Sequence, residues 1–235
     1  MYNKHIIFSI LVPAIILLAS CGGGKPNYKA SLKTDTDSAS YYLGYSMGAN
    51  IANSDIEGFN INAMAKGVQE AINQGKEVDQ QKMQELQMFL QAYFMNLQVR
   101  AGEKSLKEGQ DFLEANKKKQ GVVTLPSGLQ YKIIKDGTGV KPTIEDVVDV
   151  IYHGTLIDGT VFDSSKDRED TATFNVGGVV QGFSEALTLM NEGSIWEIYI
   201  PSELGYGERG AGGLVKPNSV LIFELNLVKV KTDDE

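Results

Sequence analysis

Val148-Asp149-Val150-Ile151-Tyr152-His153-Gly154-Thr155-Leu156-Ile157-Asp158-Gly159-Thr160-Val161-Phe162-Asp163 is the stretch on which the fold turns. Val148, Val150 and Tyr152 recur at period two, which puts them on one face of a strand. Ile157-Asp158-Gly159-Thr160 is a hairpin signal, and Val161-Phe162 resumes the chain in a second strand. Upstream, Ser127 to Ile134 also alternates, and Asp136-Gly137 marks a turn after it. Downstream, Phe174 and Val176 form another inward pair. Phe183, Ala186, Leu187 and Met190 then change to helical spacing, with Gly193 expected to close that helix. Trp196, Ile198 and Ile200 alternate again, as do Leu221, Phe223, Leu225 and Leu227. Strands on both sides of one short helix predict an α+β module, an antiparallel sheet wrapped around that helix.

The pattern before this module is helical, from about Thr34 to Gln120. Ser38-Ala39-Ser40 is expected to cap a first helix around Tyr41 to Ile51. Asn60 or Asn62 starts a second, with Met64, Val68, Ala71 and Ile72 on one face and Gly75 at its end. A third begins near Val78-Asp79 and meets no proline until Pro126. If it continues to about Lys119 it is roughly 60 Å long, at ~1.5 Å per residue. Met83, Leu86, Leu90, Tyr93 and Leu97 recur in steps of three and four, and Phe89 and Phe94 widen this stripe. After Ala101 the stripe thins into Gly102, Gly109 and many charges, which reads as a stalk. So long a helix cannot bury its apolar half within a small domain, and two copies can cover it against each other. A helical bundle within one chain is the competing expectation.

Composition narrows the function. A net charge of −8 argues against nucleic acid as a partner, because phosphate binding needs a basic face. The densest basic run, Lys117-Lys118-Lys119, reads as a solvated helix end. One cysteine excludes an internal disulfide and any cysteine-cluster metal site. Lys4, the apolar run from Ile6 to Leu18 and the small residues before Cys21 have the outline of a secretory signal peptide. The apolar run is shorter than the ~20 residues of a comfortable membrane span. Leu18-Ala19-Ser20-Cys21 also resembles a bacterial lipobox, in which the cysteine carries the lipid that anchors the mature chain. Gly22-Gly23-Gly24-Lys25-Pro26-Asn27 has the composition of a flexible tether. The expected organisation is a signal peptide over 1–20, a tether over 21–33 and a helical dimerisation region with its linker helix over 34–120. The sheet module follows over 121–231, and an acidic tail over 232–235.

Six segments carry a specific resemblance: Tyr131-Lys132-Ile133-Ile134, Tyr152-His153-Gly154-Thr155-Leu156, Asp158 to Ser165, Val180-Gln181-Gly182-Phe183, Gly205-Tyr206-Gly207 and Leu221-Ile222-Phe223-Glu224-Leu225. In order and spacing, from about Leu125 to Lys231, they resemble the FKBP-type peptidyl-prolyl cis/trans isomerases. Tyr42 to Gly48 and Ala65-Lys66-Gly67 are similar to the N-terminal region of the macrophage infectivity potentiator subgroup, whose members are secreted dimers joined through their helices. The resemblance implies a pocket for a proline ring, with Tyr152, Phe162 and Phe223 as walls and Phe183 as floor. Val179 and Val180 would stand beside the floor, Leu214 and Val215 at the rim, and Asp163, Arg168 and Tyr206 would be the polar members. Tyr206 is suited to donate to a substrate carbonyl, whereas Asp163 either acts on the twisted amide or orients Tyr152 and Arg168.

The implied activity requires no cofactor, nucleophile or metal. Its substrates would be proline-containing unfolded or exported polypeptides, and its place the bacterial cell envelope, lipid-anchored in the outer membrane and facing the periplasm or the cell surface. Two departures stand out: the floor, often tryptophan in the family, is Phe183, and the loop from Glu208 to Gly213 carries no aromatic or imidazole side chain.

Other chemistries find little support. Gly210 to Gly213 is not followed by the Lys-Ser/Thr of a phosphate cradle. Asp158 is explained by its turn rather than by an acid pair with Asp163. His153, next to Tyr152 in a strand, is expected on the opposite face, which leaves no base for a Ser/His/Asp hydrolase. A holdase chaperone built on the helical arms, or an interaction protein using the same fold as a scaffold, remain as alternatives to an enzyme.

Overall fold

The structure, a computed structural model, describes residues 30–54, 56–75, 79–166 and 171–231. The chain packs as two units that divide after Asn53. Among the described residues no helix is long and apolar enough to cross a membrane.

The first unit contributes α1, Asp35–Ala52. Its cap is Thr34, four residues before the expected Ser38, because Thr34 and Asp37 form a reciprocal capping box. The Asp37 N–H donates to Thr34 Oγ1 at 3.1 Å, and the Thr34 N–H donates to Asp37 Oδ2 at 3.0 Å. Ser38, with no acidic or amide side chain three residues on, has no such partner to close a box. The helix buries none of its residues, and Tyr41, Tyr42, Leu43 and Tyr45 stand exposed.

In the second unit, α2 covers Ile61–Gln74 and α3 covers Gln80–Asn116. Asn60 Oδ1 caps α2 by accepting from the N–H groups of Asn62 and Ala63, and Gly75 stops it in a left-handed conformation at φ 76°. Asp79 caps α3 by accepting from the Lys82 N–H at 3.1 Å. The helix ends at Asn116, so the lysine run lies just beyond it.

The polar half of α3 is not a bare stalk, for one of its faces is packed. Gly102, Gly109 and Asn116, spaced by seven, are the buried residues of the helix. A Cβ on Gly109 would lie 2.8 Å from Val220 Cγ2, and one on Gly102 would lie 3.1 Å from Pro217 Cβ. Glycine weakens a helix interior by about 1 kcal/mol relative to alanine. Here that loss permits contact with the segment leading into the last strand. The end of the helix is tied by polar groups. Asn116 Nδ2 donates to Gln130 Oε1 at 2.9 Å, and Gln130 Nε2 donates to the Leu113 carbonyl at 3.0 Å. Phe112 lies against Tyr199, with centroids 6.0 Å apart.

Seven strands among the described residues form one antiparallel sheet: β1 Val122–Thr124, β2 Gln130–Lys135, β3 Val147–Thr155, β4 Val161–Ser164, β5 Ala172–Asn175, β6 Ile195–Ile200 and β7 Leu221–Lys231. Their order is β1-β2-β6-β7-β3-β4, with β5 also paired to β3. Burial along β3 alternates strictly, so Val148, Val150, Tyr152 and Gly154 face inward. Opposite them in β7 stand Val230, Leu227, Leu225 and Phe223.

Helix α4, Gln181–Leu189, lies across this face and buries Phe183, Ala186 and Leu187, with Met190 following it. It closes at Met190 rather than at Gly193, which sits beyond it in a turn at φ 87°. A Cβ on Gly182 would come within 2.5 Å of Ile200 Cγ2, so the first turn of α4 approaches the sheet more closely than a side chain allows. An antiparallel sheet around one short helix is the architecture expected from the alternation.

Tyr199 reports the seam between α3 and the sheet. Burial first, and the neighbouring Glu197 second, push its phenol from 10.0 up to about 12. A raised acid pKa means that the unfolded chain ionises first. Stability from this group is therefore full below pH 10 and is lost as pH rises towards about 12. Denaturant titrations across that range should show the fall, and Tyr199→Phe should remove that part of it.

Candidate active site

Edge-to-face ring packing builds the pocket. Phe183 from α4 meets Phe223 from β7 at 5.1 Å between centroids and 84° between planes. Phe162 from β4 meets the same Phe223 at 5.4 Å and 81°. Tyr152 from β3 stands 6.2 Å from Phe223 and 6.3 Å from Phe183. These separations and angles suit the ring quadrupole and hold each ring by its neighbours. The four expected aromatics therefore converge.

A fifth ring joins them: Phe174 of β5 lies 5.6 Å from Tyr152 and 6.3 Å from Phe183. Its period-two relation to Val176 marks it as inward but does not say which neighbours it meets.

The site also depends on a residue that carries no side chain. Gly154 takes the inward position after Tyr152, paired with Phe223 on one side and Asp163 on the other. A Cβ there would lie 2.7 Å from Phe223 Cε1 and 2.9 Å from Phe162 Cζ. The two walls occupy the space that any other residue would need.

Two of the polar members, Asp163 and Tyr206, line a cavity beside the rings. Tyr152 Oη donates to Asp163 Oδ2 at 2.8 Å, which fixes both side chains. A cavity of about 150 Å³ is lined by Phe162, Asp163, Tyr206, Ala211, Gly212, Leu214 and Val215. Ala211 and Val215 pair backbone to backbone, and Gly212 and Gly213 between them adopt φ 57° and 74°. That tight turn presents Leu214 outward while Val215 is buried. Tyr206 precedes it in the same segment and is 39% exposed. Val179 and Val180 are half-buried against the core, at the start of α4.

Arg168 and Cys21 lie outside the described residues. His153 faces away from Tyr152, with its Nδ1 3.0 Å from Ser164 Oγ. Asp158 accepts from the Thr160 N–H at 2.9 Å, and that bond holds its carboxyl below the usual range, as a turn residue rather than a catalytic acid.

The profile of the FKBP-type peptidyl-prolyl cis-trans isomerases matches residues 138–228, and that of the domain amino-terminal to them matches 36–133. "Outer membrane protein MIP" of Legionella longbeachae is 41% identical, across 94% of this chain and 97% of that protein. The chain belongs to the FKBP-type peptidyl-prolyl cis-trans isomerase family. Within the family, "Peptidyl-prolyl cis-trans isomerase Mip" of Coxiella burnetii is 39% identical over 97% of this chain and 99% of its own. The crystal structure of FkpA from Escherichia coli superposes with a TM-score of 0.67 at 31% identity, covering 86% of this chain and 99% of that one. A peptidyl-prolyl isomerase structure from Pseudomonas syringae covers 55% of this chain and 96% of its own, with a TM-score of 0.52 and 37% identity. The enzyme is therefore an FKBP-type isomerase, and its helical region is also a family feature.

Gly154→Ala tests the geometry of this isomerase pocket. The new methyl group should separate Phe162 from Phe223 and cost about 1–3 kcal/mol as overpacking. Thermal denaturation is expected to show a folded but weakened protein. Isomerisation of a proline tetrapeptide should fall by at least about tenfold, equivalent to ~1.4 kcal/mol of barrier.

Proposed function

We infer that the aromatic site around Phe162 takes the proline ring of an unfolded polypeptide and lowers the barrier to rotation about the bond preceding it. The observation that carries this reading is the convergence of the aromatic rings beside a small cavity lined by Phe162, Asp163, Tyr206, Leu214 and Val215. The barrier is ~18–20 kcal/mol of amide resonance, and twisting the bond removes that resonance and makes the carbonyl less dipolar. An apolar enclosure favours the twisted amide over the planar one, and a ring held in one pose spends less time in unproductive geometries.

Tyr152, Phe162 and Phe223 form the walls and Phe183 the floor. Val179, Val180, Leu214 and Val215 complete the binding surface. Tyr206 donates to a carbonyl beside the proline from the mouth. Asp163 acts mainly by orienting Tyr152, a role supported by their 2.8 Å bond, and Arg168 is its further partner.

The wider reading is an enzyme of the cell envelope that accelerates proline-limited folding of exported proteins. Cys21 carries its lipid, residues 1–20 direct export and 21–33 serve as a tether. The helical region over 34–120 joins two copies and lends chaperone activity to the isomerase module over 121–231. The dimer is supported by apolar side chains left exposed in one chain, among them Leu86, Phe89, Leu90 and Phe94. An outer-membrane location is supported by the name of the Legionella relative.

Proline-limited refolding with the mature protein tests the enzyme. Tyr206→Phe and Asp163→Ala should each reduce the acceleration by about tenfold or more, or roughly 1.4 kcal/mol. Unchanged rates in both would exclude the assigned mouth residues. For the anchor, growth with radiolabelled palmitate should label the native chain in the membrane fraction. Cys21→Ser should abolish the label and release the protein from that fraction.

A further inference from the structure

Helix α3 carries a second stripe, on roughly the opposite side from Met83, Leu86, Leu90, Tyr93 and Leu97 at ~100° per residue. It runs Met88, Met95, Gly102, Gly109 and Asn116 at intervals of seven, with Val99 and Leu106 beside it. Its C-terminal part is the face buried against the sheet module. Where that contact ends, the stripe changes from glycine to methionine. Met88, Met95 and Val99 are left 63%, 59% and 53% exposed.

Beside them runs a groove of about 990 Å³. Met95, Val99 and Leu106, joined by Phe94 and Leu97 from the edge of the first stripe, line its helical side, and residues of the Glu208–Asn218 segment line the other. Ala211, Gly212 and Val215 line both this groove and the catalytic pocket. The two spaces therefore share that short turn as a wall, with Gly212 facing both.

We propose that this groove is an extended substrate subsite, which holds an apolar stretch of the same polypeptide whose proline occupies the catalytic pocket. The proposal rests on the isomerase reading of that pocket and names where the rest of its substrate lies. A pocket of about 150 Å³ encloses little more than one ring, so the chain around the proline must run over neighbouring surface. The groove is the large concavity that shares the pocket's wall, and its volume is that of a site for an extended segment. Its exposed stripe selects for apolar side chains. The unbranched thioether of Met95 adapts to many shapes, as a site for varied unfolded sequences requires. Glu103, Glu208, Arg209 and Lys216 also line it with mixed sign, so no net charge is selected.

Two synthetic peptides test this on the full mature protein. One is the tetrapeptide Ala-Leu-Pro-Phe. The other is the same core extended by about five leucine, valine and serine residues on each side, which reach ~17 Å further. The wild type should isomerise the extended peptide roughly tenfold more efficiently, through a lower KM at unchanged kcat, as burial of a few apolar side chains implies. Met95→Glu/Val99→Glu should erase that advantage. Turnover of the tetrapeptide, which does not reach the groove, should stay at the wild-type rate. Fluorescence anisotropy of the labelled extended peptide should show a matching loss of affinity.

An equal advantage in both proteins would overturn the subsite. So would dissociation of the variant into a smaller species by light scattering, which would make this face a contact between copies. Failure of the wild type on the tetrapeptide would refute the isomerase reading instead, and anisotropy would still decide the groove.

Discussion

The pairing of β3 with β7 is the constraint on which the pocket depends. It runs from Val147 opposite Lys231 to Thr155 opposite Ile222 and fixes which side chains share the inner face. Tyr152 stands opposite Leu225, and Gly154 opposite Phe223. A slip of one residue would turn Tyr152 outward and bring His153 in, because side chains alternate across a strand. With the register fixed, Phe223 lies under the vacancy left by Gly154, and Phe162 and Phe183 close on it from two sides. The ring cluster is thus a property of the sheet, and the Ala211–Val215 turn lines the cavity beside it.

A second close contact joins the helical region to that sheet. The glycines of α3 remove the side chains that would keep it away, and Gln130 bonds Asn116 Nδ2 and the Leu113 carbonyl across the seam. Asn218 completes the seam. It adopts φ 60°, which asparagine tolerates better than most residues, and its Nδ2 donates to the Gly102 carbonyl at 3.3 Å. Its own N–H donates to the Gly207 carbonyl at 2.8 Å, directly after Tyr206. One asparagine therefore touches both the long helix and the segment that carries the mouth of the pocket.

The sheet and its central helix were legible because period two and helical spacing are local and the inner face is continuously apolar. Tyr152, Phe162, Asp163 and Phe223 were legible as a set because each sits in a motif whose order matches the family. Phe174 was not, since its inward orientation is local but its partners come from β3 and α4. Gly154 escaped for a different reason. Its part is to leave room, and a missing side chain gives no periodic signal. The cap of α1 was misplaced to Ser38 because serines are abundant there, whereas the reciprocal bonds of Thr34 and Asp37 decide it. The docking of α3 left a trace in Gly102, Gly109 and Asn116, but among so many charges the interval of seven reads as polarity rather than as contact.

The seam at Gly109 and Asn116 bears on how this enzyme can be divided into parts. A fragment beginning at residue 121 would keep every strand and every ring of the pocket. It would also expose Val220, strip Gln130 of both hydrogen-bond partners on α3 and release Asn218 from Gly102. The isolated module is thus a catalytic domain with a wound along one side, and that wound adjoins the segment that carries Tyr206. An inhibitor optimised against such a fragment would meet a mouth less firmly held than in the whole enzyme. The natural unit for studying ligand preference includes the second half of the long helix.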